Sequence, residues 1–259
     1  MRKIYIFLLI VMTLCLGCEW KLQNAADASD KDAVTIERYD QLEHRYISTA
    51  DIAALQQMNT EYPTETRMLV EDVLHLGAAT DPQMKSKLLL FFQDSTLQTL
   101  IGDVLKEYAD ISDIEKHLSE SFRRLKKLLP SVEVPRVYTQ ISSLDQSIVA
   151  GDGFLGISLD KYLGFDYPLY VHYGYTERQR SMMTRSFIVP DCISFFLLSH
   201  YPFNESDTTK ASRMQHMGRI QHVVNQAVGS RFFDNAEVRQ AEQFMEKDHS
   251  ITVEQLLRL

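Results

Sequence analysis

Glycine and proline are scarce. The 259 residues hold 10 glycines and 7 prolines, about half the usual share. An all-β sandwich or barrel needs more turn punctuation than that. Positive charge is in deficit too: 27 Lys and Arg stand against 35 Asp and Glu, for a net charge of −8. Nucleic-acid binders need a basic face to neutralise phosphates, so that partner class is disfavoured. Catalytic signatures are missing. None of the 8 histidines precedes a glutamate, so there is no His-Glu-x-x-His. Gly-x-Ser-x-Gly, P-loop and dinucleotide fingerprints are absent as well. His216 and His222 stand six apart, a spacing that does not share a helical face. A non-enzymatic chain without metal or cofactor is the expectation. The remaining composition, 45% hydrophobic and 24% charged, is that of an ordinary globular protein.

The longest apolar run opens the chain. Arg2 and Lys3 precede Ile4 to Leu16, IYIFLLIVMTLCL. That run is too short for a membrane span, which takes about 20 residues, and suits the h-region of a secretory signal. It ends at Gly17-Cys18, followed by Glu19-Trp20-Lys21. A small residue before a cysteine at this point resembles a bacterial lipobox. The resemblance implies a diacylglyceryl thioether on Cys18, removal of residues 1–17, and acylation of the new amino group, with palmitate as the expected chain. Cys15 is then lost and Cys18 blocked, which leaves Cys192 with no internal disulfide partner. Cys192 lies in an apolar run and reads as a small buried hydrophobe. Each buried methylene contributes ~0.8 kcal/mol, and one chain alone gives marginal binding, so three chains imply stable anchoring. Loss of Arg2 and Lys3 takes the net charge from −8 to −10. In the sorting rule this signal resembles, aspartate after the cysteine favours the inner membrane. Glu19 therefore points to the outer membrane, with the body in the periplasm.

Residues 18–33 read as the lipidated cysteine and a polar tether. The fifteen residues Glu19 to Ala33 reach ~50 Å when extended and average ~20 Å as a coil. From Val34 the period is mostly helical, and 34–259 reads as one domain. Ser48 or Thr49 can cap a helix carrying Ile52, Leu55 and Met58. Thr64 can cap the next, with Gly77 as its stop, and Asp81-Pro82 opens another ending at Leu88 to Phe92. Leu97, Leu100, Ile101, Val104, Leu105 and Tyr108 form one stripe; Ile114, Leu118, Phe122, Leu125 and Leu129 form a second. Ser112 to Glu115 reads as a capping box. The middle then alternates. Val137 to Ile141, Ser147 to Ala150 and Phe154 to Leu159 read as strands, the last two joined by Gly151-Asp152-Gly153. Helices return at Thr176-Glu177, at Pro190 with an all-apolar Cys192 to Leu198, and after a cap at Asp207. Two more start at Asn235-Ala236-Glu237 and Thr252. The fold class is α+β, predominantly helical, with helices flanking a small central antiparallel or mixed sheet.

The segment Gly151 to Tyr175 is the densest in polar and aromatic residues. Asp152, Asp160, Tyr162, Asp166, Tyr170 and His172 are the candidates for a ligand or partner surface. The competing reading makes Asp152 a turn former, Asp160 a cap and the tyrosines amphipathic packing. Both readings stay open in the sequence.

One run in this segment, Gly156-Ile157-Ser158-Leu159-Asp160-Lys161-Tyr162-Leu163-Gly164-Phe165-Asp166, followed by Tyr170, resembles the signature of GldB-like gliding-motility lipoproteins. The similarity extends to Ile36 to Asp40, Glu61-Tyr62-Pro63, Phe91 to Asp94, Phe122 to Leu125, Pro130, Pro135 to Thr139 and Ile188 to Asp191. The last sixty residues depart from the family pattern, with His216 to Ile220 standing where its tyrosine- and glycine-rich stretch would be. The resemblance implies an envelope component that works through other envelope proteins, and no enzymatic activity. It also implies a layout distantly like zinc metallopeptidases that lack the zinc motif, with His200 as the one histidine on the corresponding helix. Two alternatives compete with docking. One is a divergent hydrolase using Asp160, Asp166 and His172 or a metal at His200. The other is a binding module for envelope glycans or lipids at the tyrosine-rich segment.

Overall fold

A computed structural model describes residues 33–203 and 209–259. Cys18, the tether up to residue 32 and the expected cap Asp207 lie outside them. Val34–Leu259 clusters as one unit.

The chain enters through a two-residue strand, β1 (Ile36–Glu37). Six helical elements follow: α1 (Tyr39–Thr49), α2 (Ile52–Glu61), α3 (Pro63–Met68, continued by a π-helical turn over Leu69–Val73), α4 (Met84–Phe91), α5 (Ser95–Glu107) and α6 (Ser112–Leu128). Strands β2 (Arg136–Gln140), β3 (Ile148–Gly151) and β4 (Phe154–Ser158) come next, then a 3-10 turn (Leu159–Tyr162) and the short helices α7 (Pro168–His172) and α8 (Glu177–Arg180). A 3-10 turn at Arg185–Phe187 leads into α9 (Ile188–His200), followed by α10 (Lys210–Val228), α11 (Ala236–Lys247) and α12 (Val253–Leu257).

The sheet order is β1-β2-β4-β3. β1 and β2 run parallel, as do β2 and β4, while β3 and β4 form an antiparallel hairpin. The sheet is therefore mixed. β1 falls where the periodicity reads as helix, because two residues are too few to show alternation. Its amide finds an unexpected acceptor: Ile36 N–H donates to Glu115 Oε1 at 2.8 Å. That glutamate was the expected second half of a capping box. Ser112 is instead the first residue of α6, the N-cap is Ile111, and Asp110 accepts from the Ser112 amide. Caps shift elsewhere too. Asp51, not Ser48 or Thr49, caps α2 by accepting from the Ala53 and Ala54 amides. Pro63 opens α3 in place of a Thr64 cap. Thr176 and Thr252 form full capping boxes with Gln179 and Gln255.

Burial follows the helical stripes. Ile114, Leu118, Phe122 and Leu125 of α6 are all buried, as are Leu100, Ile101 and Val104 of α5. α9 packs against β3, β4, α6 and α10, with Ile188, Cys192, Ile193 and Leu197 sealed. Phe195 is 37% exposed, so this helix is central without being apolar all round. α1 packs over β2 and α2. The signature segment runs from β4 into the 3-10 turn Leu159–Tyr162, which packs against α5.

Candidate functional site

The end of β2 is where the polar groups converge. After Gln140 the chain turns through Ile141 to Asp145, and Ser143 and Leu144 take left-handed φ values of 56° and 67°. Non-glycine residues tolerate that conformation only when their surroundings fix it. Two buried carboxylates do so. Asp160, in the turn after β4, accepts from the Ser142 amide on Oδ1 at 2.8 Å and from the Leu144 amide on Oδ2 at 2.6 Å. The Ser142 hydroxyl donates to it as well. Glu43, from α1, accepts from the Ile141 amide on Oε2 at 2.9 Å. Its Oε1 is buried without a partner among the described residues. Burial pushes both carboxyls up from their ordinary values, and the backbone donors pull back. Asp160 and Asp40 raise Glu43 further by repulsion.

The tyrosines of the signature lock the same turn. Tyr170 donates to the Asp160 carbonyl at 2.6 Å and accepts from the Leu163 amide at 2.9 Å. Tyr108, from the end of α5, donates to the Tyr162 carbonyl. Tyr162 in turn donates to Asp191 Oδ2 at 2.8 Å, tying the turn to α9. Burial pushes the Asp191 carboxyl up to about 7, with the Tyr162 hydroxyl acting against the shift. Next to it, burial pushes the Cys192 thiol up, away from thiolate chemistry. Gly156 is fixed by sterics: it pairs with Tyr138, and a Cβ there would sit 2.5 Å from the Tyr138 hydroxyl. Gly164 takes a φ of +112°, outside the range of other residues.

The six sequence candidates thus separate. Asp160, Tyr162 and Tyr170 are buried together in this frame. Asp152 is exposed in the β3–β4 turn, Asp166 is exposed before α7, and His172 is exposed at the end of α7 with its ring against Tyr173. Asp160, Asp166 and His172 do not form an acid–base set, because the Asp160 oxygens are sealed and occupied. His200 is exposed at the end of α9, with Nδ1 2.9 Å from the Phe196 carbonyl. No group of three or more His, Cys, Asp or Glu among the described residues is arranged to hold a metal ion. His216 is buried and contacts the Tyr201 carbonyl at 2.8 Å; burial lowers the pKa of both His216 and His222. Glu43 and Ser142 are absent from the sequence expectations, while Tyr108 stands there only in a helical stripe and Asp191 only in the family resemblance. Glu43 had a signal: it shares the α1 face of Tyr39, Leu42 and Tyr46, all buried.

The model of the family described as gliding motility protein GldB matches residues 21–231. The chain belongs to the GldB family. Its match covers most of the length, including the β2 end, the signature frame and α9. The GldB match also runs on through α10, past the point where the motifs fade to the eye. No curated protein and no solved structure matches the chain. The GldB assignment makes the chain a gliding-motility-associated lipoprotein of the cell envelope. A likeness to zinc metallopeptidases rests on the sequence alone.

Proposed function

We propose that this GldB-family chain is a non-enzymatic docking component of the envelope. Cys18 carries the acyl chains, residues 18–33 act as the tether, and 34–259 is the single body, held in the periplasm at the outer membrane. Its partners are other envelope proteins. The observation that supports this reading most directly is the state of the signature's polar groups. Asp160, Tyr162 and Tyr170 are buried and hydrogen-bonded to backbone or to Asp191. A catalytic group needs access to substrate and a free proton-transfer atom; these residues have neither. They build a rigid frame that orients the surrounding surface.

The test is mild crosslinking in cells followed by purification of the full chain, run beside Cys18→Ala. A reproducible envelope partner that is lost with the anchor supports docking. Hydrolysis of an envelope polymer by the purified chain, or stoichiometric zinc in it, would overturn the reading. Binding of a small ligand is the second reading, and one observation favours it. A cleft of about 480 Å³ lies between α6 and α9, lined by Ile114, His117, Arg124, Val189 and Phe232 among others. That size suits a small ligand. Thermal shift with envelope glycans and lipids checks it, since ligand at 100 times its Kd stabilises by ~2.7 kcal/mol.

A further inference from the structure

The chain has an excess of negative charge, −8. Against that background one groove of about 440 Å³ gathers cations from two separate elements. Arg178 comes from α8, and Lys210 and Arg213 come from the first turn of α10. Met214 and Met217 continue the α10 wall, and Glu237 of α11 faces them. The walls are fixed by close packing: a Cβ on Gly218 would lie 2.4 Å from Glu237 Cβ, so only glycine lets α10 and α11 touch there.

Three features set the groove apart from a solvated surface. Among the described residues, Arg178, Lys210 and Arg213 take part in no ion pair, side-chain hydrogen bond or cation–π contact. Neighbouring arginines are committed: Arg180 stacks over Phe165, and Arg185 pairs with Asp113. The two α10 cations also stand at the wrong end of their helix. α10 is 19 residues long with no acidic residue in its first turn. Its N-terminus already carries partial positive charge, so Lys210 and Arg213 repel it until an anion arrives. The apolar part of the groove is thioether. Met214 is 44% exposed and Met217 half-buried beside it, a surface able to re-pack around different side chains.

We propose that this groove docks an acidic segment of a protein partner, with carboxylates on Arg178, Lys210 and Arg213 and an apolar side chain on Met214 and Met217. A protein segment fits better than a bilayer because the surface is concave and walled by α11, whereas a membrane meets a flat or convex face. The net charge of −8 disfavours non-specific capture of such a segment by the body as a whole, so binding depends on a local cluster of cations such as this one. The proposal rests on the docking role above and names the chemistry of the partner.

The test titrates the full-length chain in neutral detergent against a short rhodamine-labelled peptide of Asp and Glu with a central Leu, read by fluorescence anisotropy. The wild type should bind, more weakly as salt rises. Arg178→Glu/Lys210→Glu/Arg213→Glu should lose about tenfold or more in affinity, the scale of ~1.4 kcal/mol. A control, Lys106→Glu/Lys116→Glu/Lys247→Glu, makes the same change in net charge on other exposed sites and should stay within about twofold. All substituted residues are exposed, and circular dichroism checks the fold. If the reversals perturb it, the glutamine variants at Arg178, Lys210 and Arg213 replace them. Three results overturn the proposal: no binding by the wild type, equal losses in both triple variants, or groove-dependent binding of phosphatidylglycerol vesicles without peptide binding. Peptide binding with no envelope partner in crosslinks would sink the docking role and leave the groove. Crosslinks that persist in the groove variant without peptide binding would do the reverse.

Discussion

Replacing each of the two carboxylates at the β2 end by its amide should give opposite results. Asp160 uses both oxygens, one on the Ser142 amide and one on the Leu144 amide. Asparagine offers a single carbonyl, so its NH₂ must face one of those N–H donors. Asp160→Asn leaves a buried donor unsatisfied and should cost about 2–3 kcal/mol. Glu43 uses one oxygen, and Oε1 has no partner among the described residues. Glu43→Gln keeps the bond to Ile141 and exchanges one unpartnered polar atom for another. What it removes is titration. The native Glu43 carboxyl is raised well above its ordinary 4.5, chiefly by burial. The folded state then binds the proton more tightly than the unfolded chain. Stability from this group is fully present below pH ~4.5 and is lost as pH rises towards the native value, with a slope approaching ~1.4 kcal/mol per pH unit. Glu43→Gln should therefore match the wild type at pH 4 within about 1 kcal/mol and become progressively more stable than it above pH 5. Chemical denaturation of the full chain, followed by far-UV circular dichroism from pH 4 to pH 8, measures both. A Glu43→Gln curve parallel to the wild type at every pH, or one that falls below it as pH rises, would refute the argument.

Other outcomes follow from single contacts. Gly156→Ala places a methyl 2.5 Å from the Tyr138 hydroxyl and should destabilise by about 1–3 kcal/mol through overpacking, read as a lowered denaturation midpoint. Tyr138→Phe should be neutral or slightly stabilising in the same assay, because that hydroxyl is buried without a partner among the described residues. Asp191→Asn keeps an acceptor for Tyr162 but cannot ionise. Since burial raises this carboxyl from 3.8 to about 7, its stabilising contribution is full below pH ~3.8 and is lost by pH ~7. The variant should equal the wild type at pH 4 and exceed it at pH 8; equal curves throughout would mean Asp191 titrates normally. Asp51→Ala removes the cap of α2 and should cost about 1 kcal/mol.

The sequence determined the pieces that depend on local chemistry. Amphipathic stripes placed α5 and α6, the glycine-rich turn placed the β3–β4 hairpin, and Thr176, Asn235 and Thr252 marked helix starts. Each of these is decided by residues within about four positions of one another. The GldB resemblance was equally legible, because the signature residues are contiguous. Tertiary structure decided the rest. β1 exists only because β2 pairs with it and Glu115 holds its amide, a contact spanning seventy-nine positions. The tyrosines and Asp160 of the signature could be surface or core; burial against Ser142, Leu144 and Asp191 made them core. Glu43, Tyr108 and Asp191 joined the frame from three separate helices. Local spacing cannot report such partners, since hydrogen-bond demand and exclusion from water arise only when distant segments meet.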